Sequence, residues 1–130
     1  MRVAVTAQAP DIDALVGPRF GRATWLVLAN PETGEWTTSA NADNVAAKGG
    51  VGAKVADEVL AEGAEAIITV HIGPAAQEAF EDAGVAVYQV DNGITVRDAL
   101  TRLTAHELEA LHGPTVAGHW STRPSRQREE

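Results

Sequence analysis

The fold is decided by the stretch Ala66-Ile67-Ile68-Thr69-Val70-His71-Ile72-Gly73-Pro74-Ala75-Ala76, in which a strand passes through a short turn into a helix. Residues 67–70 all favour β-structure, and such a run is typical of a central parallel strand covered on both faces. Pro74 suits the first position of a helix, because its φ is preset and it has no N–H to leave unbonded. The turn therefore places the imidazole of His71 beside the positive end of a helix dipole, where an anion or a metal is favourably bound.

The composition excludes several classes of protein. The chain has 130 residues, a net charge of −8 and no cysteine. Its length suits one compact domain, and its acidity argues against a nucleic-acid partner, since phosphate contacts dominate such affinity. Without cysteine there are no disulfides and no thiolate-held zinc or iron–sulfur sites. A metal would need histidine, carboxylate or backbone ligands, or would arrive as a preassembled cluster with its own sulfides.

The first residues, Met1 to Val5, already have the pattern of a strand and lack the layout of a signal peptide. There is no apolar run long enough to span a membrane. We therefore expect a cytoplasmic protein with no membrane partner.

The hydrophobic pattern predicts a single α/β domain over residues 1–111, followed by an extension over 112–130. The extension is charged and poor in apolar anchors beyond about residue 122, where we expect disorder. The predicted strands are residues 3–7, 24–29, 35–39, 66–70 and 85–89, and the predicted helices are residues 51–62, 74–83, 96–103 and 104–111.

The connections between these elements predict one mixed five-stranded sheet with helices on both faces. Strands 24–29 and 35–39 form a hairpin, whereas the second half alternates strand and helix and should be parallel. Gly63 and Gly84 are expected to end their helices in the left-handed conformation. Four residues are expected to face inward from the helix at 74–83, namely Ala76, Ala79, Phe80 and Ala83.

Three irregular segments should meet at the carboxyl ends of the parallel strands, where ligands bind in open α/β sheets. They are the loop at 8–19, the turn at 48–52 and the turn at 71–74. Gly49 and Gly50 either bring backbone amides close to an anion or serve only as a turn and helix cap. His71 is either a metal ligand or an ordinary turn residue, since one histidine alone makes no metal site.

The charged residues of the first loop also have two interpretations. Arg19 and Arg22 either clamp an anionic ligand or pair with Asp11 and Asp13. The two aspartates either supply acid–base chemistry or form turns. No nucleophile–base pair, P-loop or metalloprotease motif is present in the sequence, so nothing indicates an enzyme.

Several motifs, in this order, resemble the dinitrogenase iron-molybdenum cofactor biosynthesis family, which includes NifX-like proteins and the carboxyl-terminal domain of NifB. They are Arg19-Phe20-Gly21-Arg22-Ala23, the glycine-rich turn at 48–52, Ile72-Gly73-Pro74-Ala75-Ala76 and Gly84-Val85-Ala86-Val87-Tyr88. The resemblance covers about residues 1–103. It implies a ribonuclease-H-like α/β sheet that binds or carries the iron–molybdenum cofactor, its precursors or a related molybdenum cluster.

The resemblance also implies which residues face the ligand. The implied cofactor-binding residues are Arg19, Phe20, Gly21, Arg22, Gly49, Gly50, Gly73 and Pro74, and His71 is the implied metal ligand. Two positions depart from the family pattern. Members with cluster roles often have histidine where this chain has Arg19, and many members have asparagine where it has His71.

Together these observations predict a non-catalytic carrier or scaffold for an anionic metal–sulfur cluster, with cofactor-assembly proteins as partners. The alternative is a small enzyme or sensor that binds a phosphorylated metabolite at the same sheet edge. A third possibility is a protein-interaction module. The sequence does not determine the oligomeric state.

Overall fold

A computed structural model of the protein describes residues 1–20, 25–41 and 51–111. These residues form an α/β domain with one mixed sheet of five strands, as predicted, and with three helices. The strands are β1 (Val3–Ala7), β2 (Trp25–Asn30), β3 (Glu35–Ala40), β4 (Ala66–Thr69) and β5 (Ala86–Gln89), and the helices are α1 (Val51–Ala61), α2 (Pro74–Ala83) and α3 (Val96–Thr104).

The strand order in the sheet is β3–β2–β1–β4–β5. β2 is antiparallel to both β1 and β3, whereas β4 is parallel to both β1 and β5. The apolar segment at 66–69 is therefore an interior strand, as its composition predicts. Because β1, β4 and β5 run in one direction, their carboxyl ends meet at the same end of the sheet, which we call the carboxyl edge.

Helices cover both faces of the sheet. Successive side chains of a strand point to opposite faces, so the clusters to which they belong show which helices lie on each face. Along β1, Val3, Val5 and Ala7 belong to the core cluster formed with α3, whereas Ala4 belongs to the cluster formed with α1 and α2. Among the described residues no helix is long and apolar enough to cross a membrane. Because both faces are covered by helices, the chain segments that follow the strands at the carboxyl edge can leave the sheet on either face.

The inward face of α2 differs in part from its prediction. Ala76 and Phe80 are buried and Ala79 is half-buried, but Ala83 is exposed, so its predicted inward position is wrong. Gln77 is buried instead. The buried stripe is turned toward residue 77 because α2 packs against α1 as well as against the sheet.

The predicted helix at 104–111 does not form. Thr104 is the last residue of α3 and its hydroxyl donates to the carbonyl of Leu100, so it does not cap a new helix. His106 adopts a left-handed conformation with φ of 60°, and the amide of Glu107 then donates to the carbonyl of Arg102. The chain continues beside β5, where the amide of Leu111 donates to the carbonyl of Val87. Non-local pairing with the sheet edge therefore outweighs the local helix signal, which is the capping-box spacing of Thr104 and Glu107.

The end of α2 provides a test of the glycine cap. Gly84 has φ of 75°, and a Cβ atom added there would meet no heavy atom within 4 Å. We expect Gly84→Ala to lower the free energy of unfolding by about 1 kcal/mol, because only the left-handed backbone opposes the methyl group. Gly84→Asn is the matched control and should lose less, since asparagine tolerates this conformation. Urea unfolding midpoints measure both; equal losses would contradict a conformational origin.

Candidate functional site at the carboxyl edge

The carboxyl edge contains a crevice between two adjacent parallel strands, β1 and β4. The loop that follows β1 lies on the α3 face, where Ile12 and Val16 are buried. The helix that follows β4, α2, lies on the opposite face. Adjacent parallel strands whose connections leave on opposite faces define the topological switch point at which open α/β sheets bind ligands.

The end of the first loop crosses this crevice. The amide of Gly17 donates to the carbonyl of Thr6 at 2.8 Å, which ties the loop to the end of β1. The amide of His71 donates to the carbonyl of Pro18 at 3.0 Å, and the amide of Phe20 donates to the carbonyl of His71 at 2.8 Å. These bonds make Arg19 and His71 partners in a parallel β-bridge. Two of the three segments predicted to meet at this edge therefore do meet.

Burial on either side of the bridge fixes both segments in the core. Phe20 and Ile72 are buried in the cluster beneath α1 and α2, and the ring of Phe20 packs edge-on against Phe80 with centroids 5.3 Å apart. Arg19 and His71 are both exposed. A permanent cation and an imidazole are therefore held as backbone neighbours at the rim of the crevice, within reach of a bound molecule.

The turn that carries His71 is also held from β5. The side-chain amide of Gln89 donates to the carbonyl of Val70 at 2.8 Å, and the amide of Val90 donates to the carbonyl of Thr69 at 3.1 Å. Backbone bonds from two sides therefore fix the turn. Because the turn is already ordered, no further ordering of the chain is needed before His71 contacts a ligand.

The start of α2 is open, next to the same bridge. Gly73 precedes the helix in an extended conformation and has no side-chain cap, and Pro74 opens the helix. Among the described residues, the amides of Ala75 and Ala76 donate to no protein acceptor. Two donors without an acceptor among the described residues, at the positive end of a helix dipole, favour an anion.

The start of α3, at the same edge, is closed by the protein itself. Thr95 accepts a hydrogen bond from the amide of Asp98 at 3.1 Å. The carbonyls of Ile12 and Ala14 accept from the amides of Arg97 and Val96. Of the two helix starts whose side chains are described, only that of α2 has donors to offer.

Two arginines of the described residues lie at this edge, and within those residues Arg97 is paired with a carboxylate whereas Arg19 is not. Arg97 donates to both carboxylate oxygens of Asp13, at 2.7 and 3.4 Å. Asp11 accepts the amide of Asp13 at 2.9 Å, which is the turn-forming role considered for it. Among the described residues Arg19 forms no ion pair, so Asp13 has Arg97 as its partner and not Arg19.

The described part of this edge has no group of side chains able to hold a single metal ion. Within residues 1–20, 25–41 and 51–111, no three side chains of His, Asp or Glu come together. His71 is exposed and is joined at this edge by an arginine and free amides. That donor set suits an anion that carries its own metal better than a bare cation.

Four of the predicted site residues lie outside the described residues, namely Gly21, Arg22, Gly49 and Gly50. The remaining five lie together: Arg19, Phe20, His71, Gly73 and Pro74. Gly73 has φ of −87° and ψ of 175°, a conformation open to any residue. Phe20 is buried, and its packing against Phe80 anchors the neighbouring Arg19.

Sequence reasoning missed the buried pair Thr6 and Thr69, whose hydroxyl oxygens lie 3.0 Å apart beneath the crevice. The available signal was a threonine near the end of two otherwise apolar strands, in Val5-Thr6-Ala7 and Ile68-Thr69-Val70. A buried hydroxyl needs a partner, so two such strands are candidates for neighbours.

Comparison with known proteins gives the class. The model of the dinitrogenase iron-molybdenum cofactor family matches residues 1–106, and the chain belongs to this family, as the resemblance predicted. Family membership indicates a cluster-binding or carrier role in cofactor biosynthesis.

The apo form of the orange protein from Desulfovibrio gigas is 35% identical, with a TM-score of 0.85 over 88% of this chain and 96% of that one. A candidate NifB protein from Thermotoga, solved by NMR, is 32% identical, with a TM-score of 0.76 over 90% of this chain and 98% of that one. An uncharacterized protein from Methanocaldococcus jannaschii is 33% identical over 78 residues, which are 58% of this chain and 66% of that protein.

The pairing of Asp13 with Arg97 can be tested by titration. The hydrogen bond from Arg97, with its positive charge, lowers the pKa of the Asp13 carboxyl. The pair therefore stabilises the fold above the ordinary carboxyl pKa of about 3.9, and this stabilisation is lost as the pH falls through the lowered pKa.

We expect Arg97→Gln to raise the pKa of Asp13 toward its ordinary value, as measured by NMR of the carboxyl carbon. The control is Arg102→Gln, which removes an exposed arginine from the same helix and should leave that pKa unchanged. A pKa of Asp13 that stayed low in the Arg97 variant would point to another cause.

Proposed function

We propose that this protein is a carrier or scaffold for an anionic iron–molybdenum or related metal–sulfur cluster, which it binds as cargo at the carboxyl edge. The observation that carries the proposal is the β-bridge between Arg19 and His71, placed next to the open start of α2. Arginine and free amides would neutralise the cluster, and His71 would offer one exchangeable bond to metal. Neutral imidazole is a good ligand for iron, and no cysteine competes for that role.

The departures from the family pattern at Arg19 and His71 support this division of roles. The family histidine position before Phe-Gly is Arg19 here, and the family asparagine position before Ile-Gly-Pro is His71 here. Because the two residues are bridge partners, an exchange of roles across the bridge keeps one imidazole at the same rim. The chain thus retains a metal-binding group although the position of that group differs.

Several finer assignments belong to the same proposal. We propose a ribonuclease-H-like fold, which the family resemblance implies and with which a mixed sheet covered by helices on both faces agrees. The partners would be cofactor-assembly proteins in the cytoplasm that load and unload the cluster. Gly21, Arg22, Gly49 and Gly50 would complete the binding site, and the protein would carry out no catalysis.

The competing proposal is a small enzyme or sensor for a phosphorylated metabolite. One observation favours it, namely that an open helix start beside an arginine also suits a phosphate group. The two proposals differ in the role of His71. A metal cluster would bind it as a ligand, whereas a phosphate group needs no metal ligand.

A thermal-shift comparison distinguishes the ligand classes. We expect isolated iron–molybdenum cofactor to raise the melting temperature, because a ligand that binds only the folded state stabilises it. Common nucleotides at the same concentration should leave it unchanged. Stabilisation by nucleotides but not by cofactor would overturn the carrier proposal in favour of the metabolite site.

A substitution tests the metal bond. His71→Ala should leave the fold intact, since the side chain is exposed, and should weaken retention of the cofactor by about tenfold, or 1.4 kcal/mol. The matched control is His106→Asn, which removes the imidazole that lies just beyond the end of α3 and keeps a residue tolerant of the left-handed conformation.

Molybdenum and iron per protein, measured after gel filtration, give the result. The control should retain the metal content of the unmodified protein. Equal metal content in the His71 variant would leave this histidine as an ordinary turn residue.

A further inference from the structure

Two buried hydroxyl groups lie directly beneath the bridge between Arg19 and His71. Thr6 is near the end of β1 and Thr69 is the last residue of β4, and they are 1% and 0% exposed. Their Oγ1 atoms are 3.0 Å apart. Neither can touch a ligand at the rim, so any effect they have on binding must pass through other residues.

Each hydroxyl also contacts one wall of the crevice. Thr6 Oγ1 lies 3.0 Å from the carbonyl oxygen of Gly17, on the loop that carries Arg19. Thr69 Oγ1 lies 3.4 Å from the carbonyl oxygen of His71. The hydroxyl pair therefore joins the loop that carries Arg19 to the end of β4, two residues before His71, while the backbone bridge joins the same two segments above.

These contacts close a ring of hydrogen bonds. The Thr6 hydroxyl is bonded to the carbonyl of Gly17, Pro18 accepts the amide of His71, and the Thr69 hydroxyl, two residues before His71 in the chain, is bonded to that of Thr6. A ring in which each group is held by two neighbours resists displacement of any single member. It is anchored in β1 and β4, which are the most enclosed strands of the sheet.

The number of hydroxyl protons couples the two threonines, because the bond that one of them donates determines what the other can donate. Each has one proton to donate, whereas the three contacts made by Thr6 and Thr69 need three donors. When the pair bond is present, one proton remains for either Gly17 or His71. The shorter distance, 3.0 against 3.4 Å, favours donation from Thr69 to Thr6 and from Thr6 to Gly17.

We propose that Thr6 and Thr69 are positioning residues, whose hydroxyl pair sets the placement of Arg19 relative to His71 at the cluster-binding edge. This inference rests on the proposed function for its ligand, but its effect on the two segments exists in the protein alone. Loss of either hydroxyl leaves the other buried with one partner fewer, so the segment above it should open more often.

The first measurement uses the protein without ligand. Thr69→Val keeps the shape of the side chain and removes the hydroxyl, whereas Thr69→Ser keeps the hydroxyl. In the valine variant we expect hydrogen exchange of the Phe20 and His71 amides to become at least about tenfold faster, with exchange of Val27 in β2 unchanged. The serine variant should restore slow exchange.

Matched controls separate positioning from a general loss of stability. Ile68→Val removes one methylene from the neighbouring buried residue of β4 and leaves both hydroxyls in place. It should lower the unfolding midpoint without selectively accelerating exchange at Phe20 and His71. The double variant Thr6→Val/Thr69→Val should lower the midpoint by less than the sum of the single variants, because it leaves no unpaired hydroxyl.

The second measurement adds isolated iron–molybdenum cofactor. We expect Thr69→Val to bind it about three- to tenfold more weakly, and Thr69→Ser and Ile68→Val to bind it as the unmodified protein does. If exchange at Phe20 and His71 is the same in the valine variant as in the unmodified protein, the positioning role is overturned whatever the cofactor does. If exchange changes selectively but the unmodified protein binds no cofactor, the positioning role stands and the proposed function fails.

Discussion

The parallel pairing of β1 with β4 is the constraint on which the rest of the structure depends. It brings two apolar strands side by side although about sixty residues separate them, and it aligns their carboxyl ends. Because the following connections leave on opposite faces, the pairing creates the crevice. The same register brings the Thr6 and Thr69 hydroxyls together, and these support the bridge between Arg19 and His71. Fold and candidate site thus have one origin.

Local signals explain how much of this the sequence could predict. Three signals depend on residues within a few positions and have their expected structure: the apolar run that begins at 67, the proline at the start of α2 and the glycine at its end. The predicted helix at 104–111 also rested on a local signal, a capping-box spacing, but the chain there pairs with β5 instead. That spacing carries no information about a strand far away in the sequence that pairs with the same residues.

The candidate site was predictable only as a set of neighbouring segments. The rule that parallel strands end together anticipated the approach of the loop at 8–19 to the turn at 71–74. It could not show that Arg19 faces His71 across a bridge, or that Asp13 pairs with Arg97, because both depend on the exact path of the loop. The hydroxyl pair was missed for a related reason, since a threonine near the end of each strand indicates a need for a buried partner but does not say which residue supplies it.

The overall charge of the protein opposes the proposed cargo and makes the local arrangement decisive. A chain with net charge −8 repels an anionic cluster at long range, but at physiological ionic strength such repulsion is screened beyond about 8 Å. In the proposed site, attraction from Arg19 and from the amides of Ala75 and Ala76 would act at contact distance, where it is least screened. Binding would then depend on close delivery by a partner protein rather than on capture from a distance.

The small number of strong ligands among the described residues fits transfer better than storage. Each hydrogen bond to a charged group contributes about 1.5–3 kcal/mol, and one bond from His71 to metal would add a single exchangeable ligand. A receiving protein that offers several metal ligands would therefore bind the cluster more tightly and take it from this protein. In the proposed carrier, the ring beneath the crevice would reduce the ordering needed on loading, so that a few weak contacts would suffice. A preorganised edge with few covalent bonds is the arrangement that allows a cluster to be both held and released.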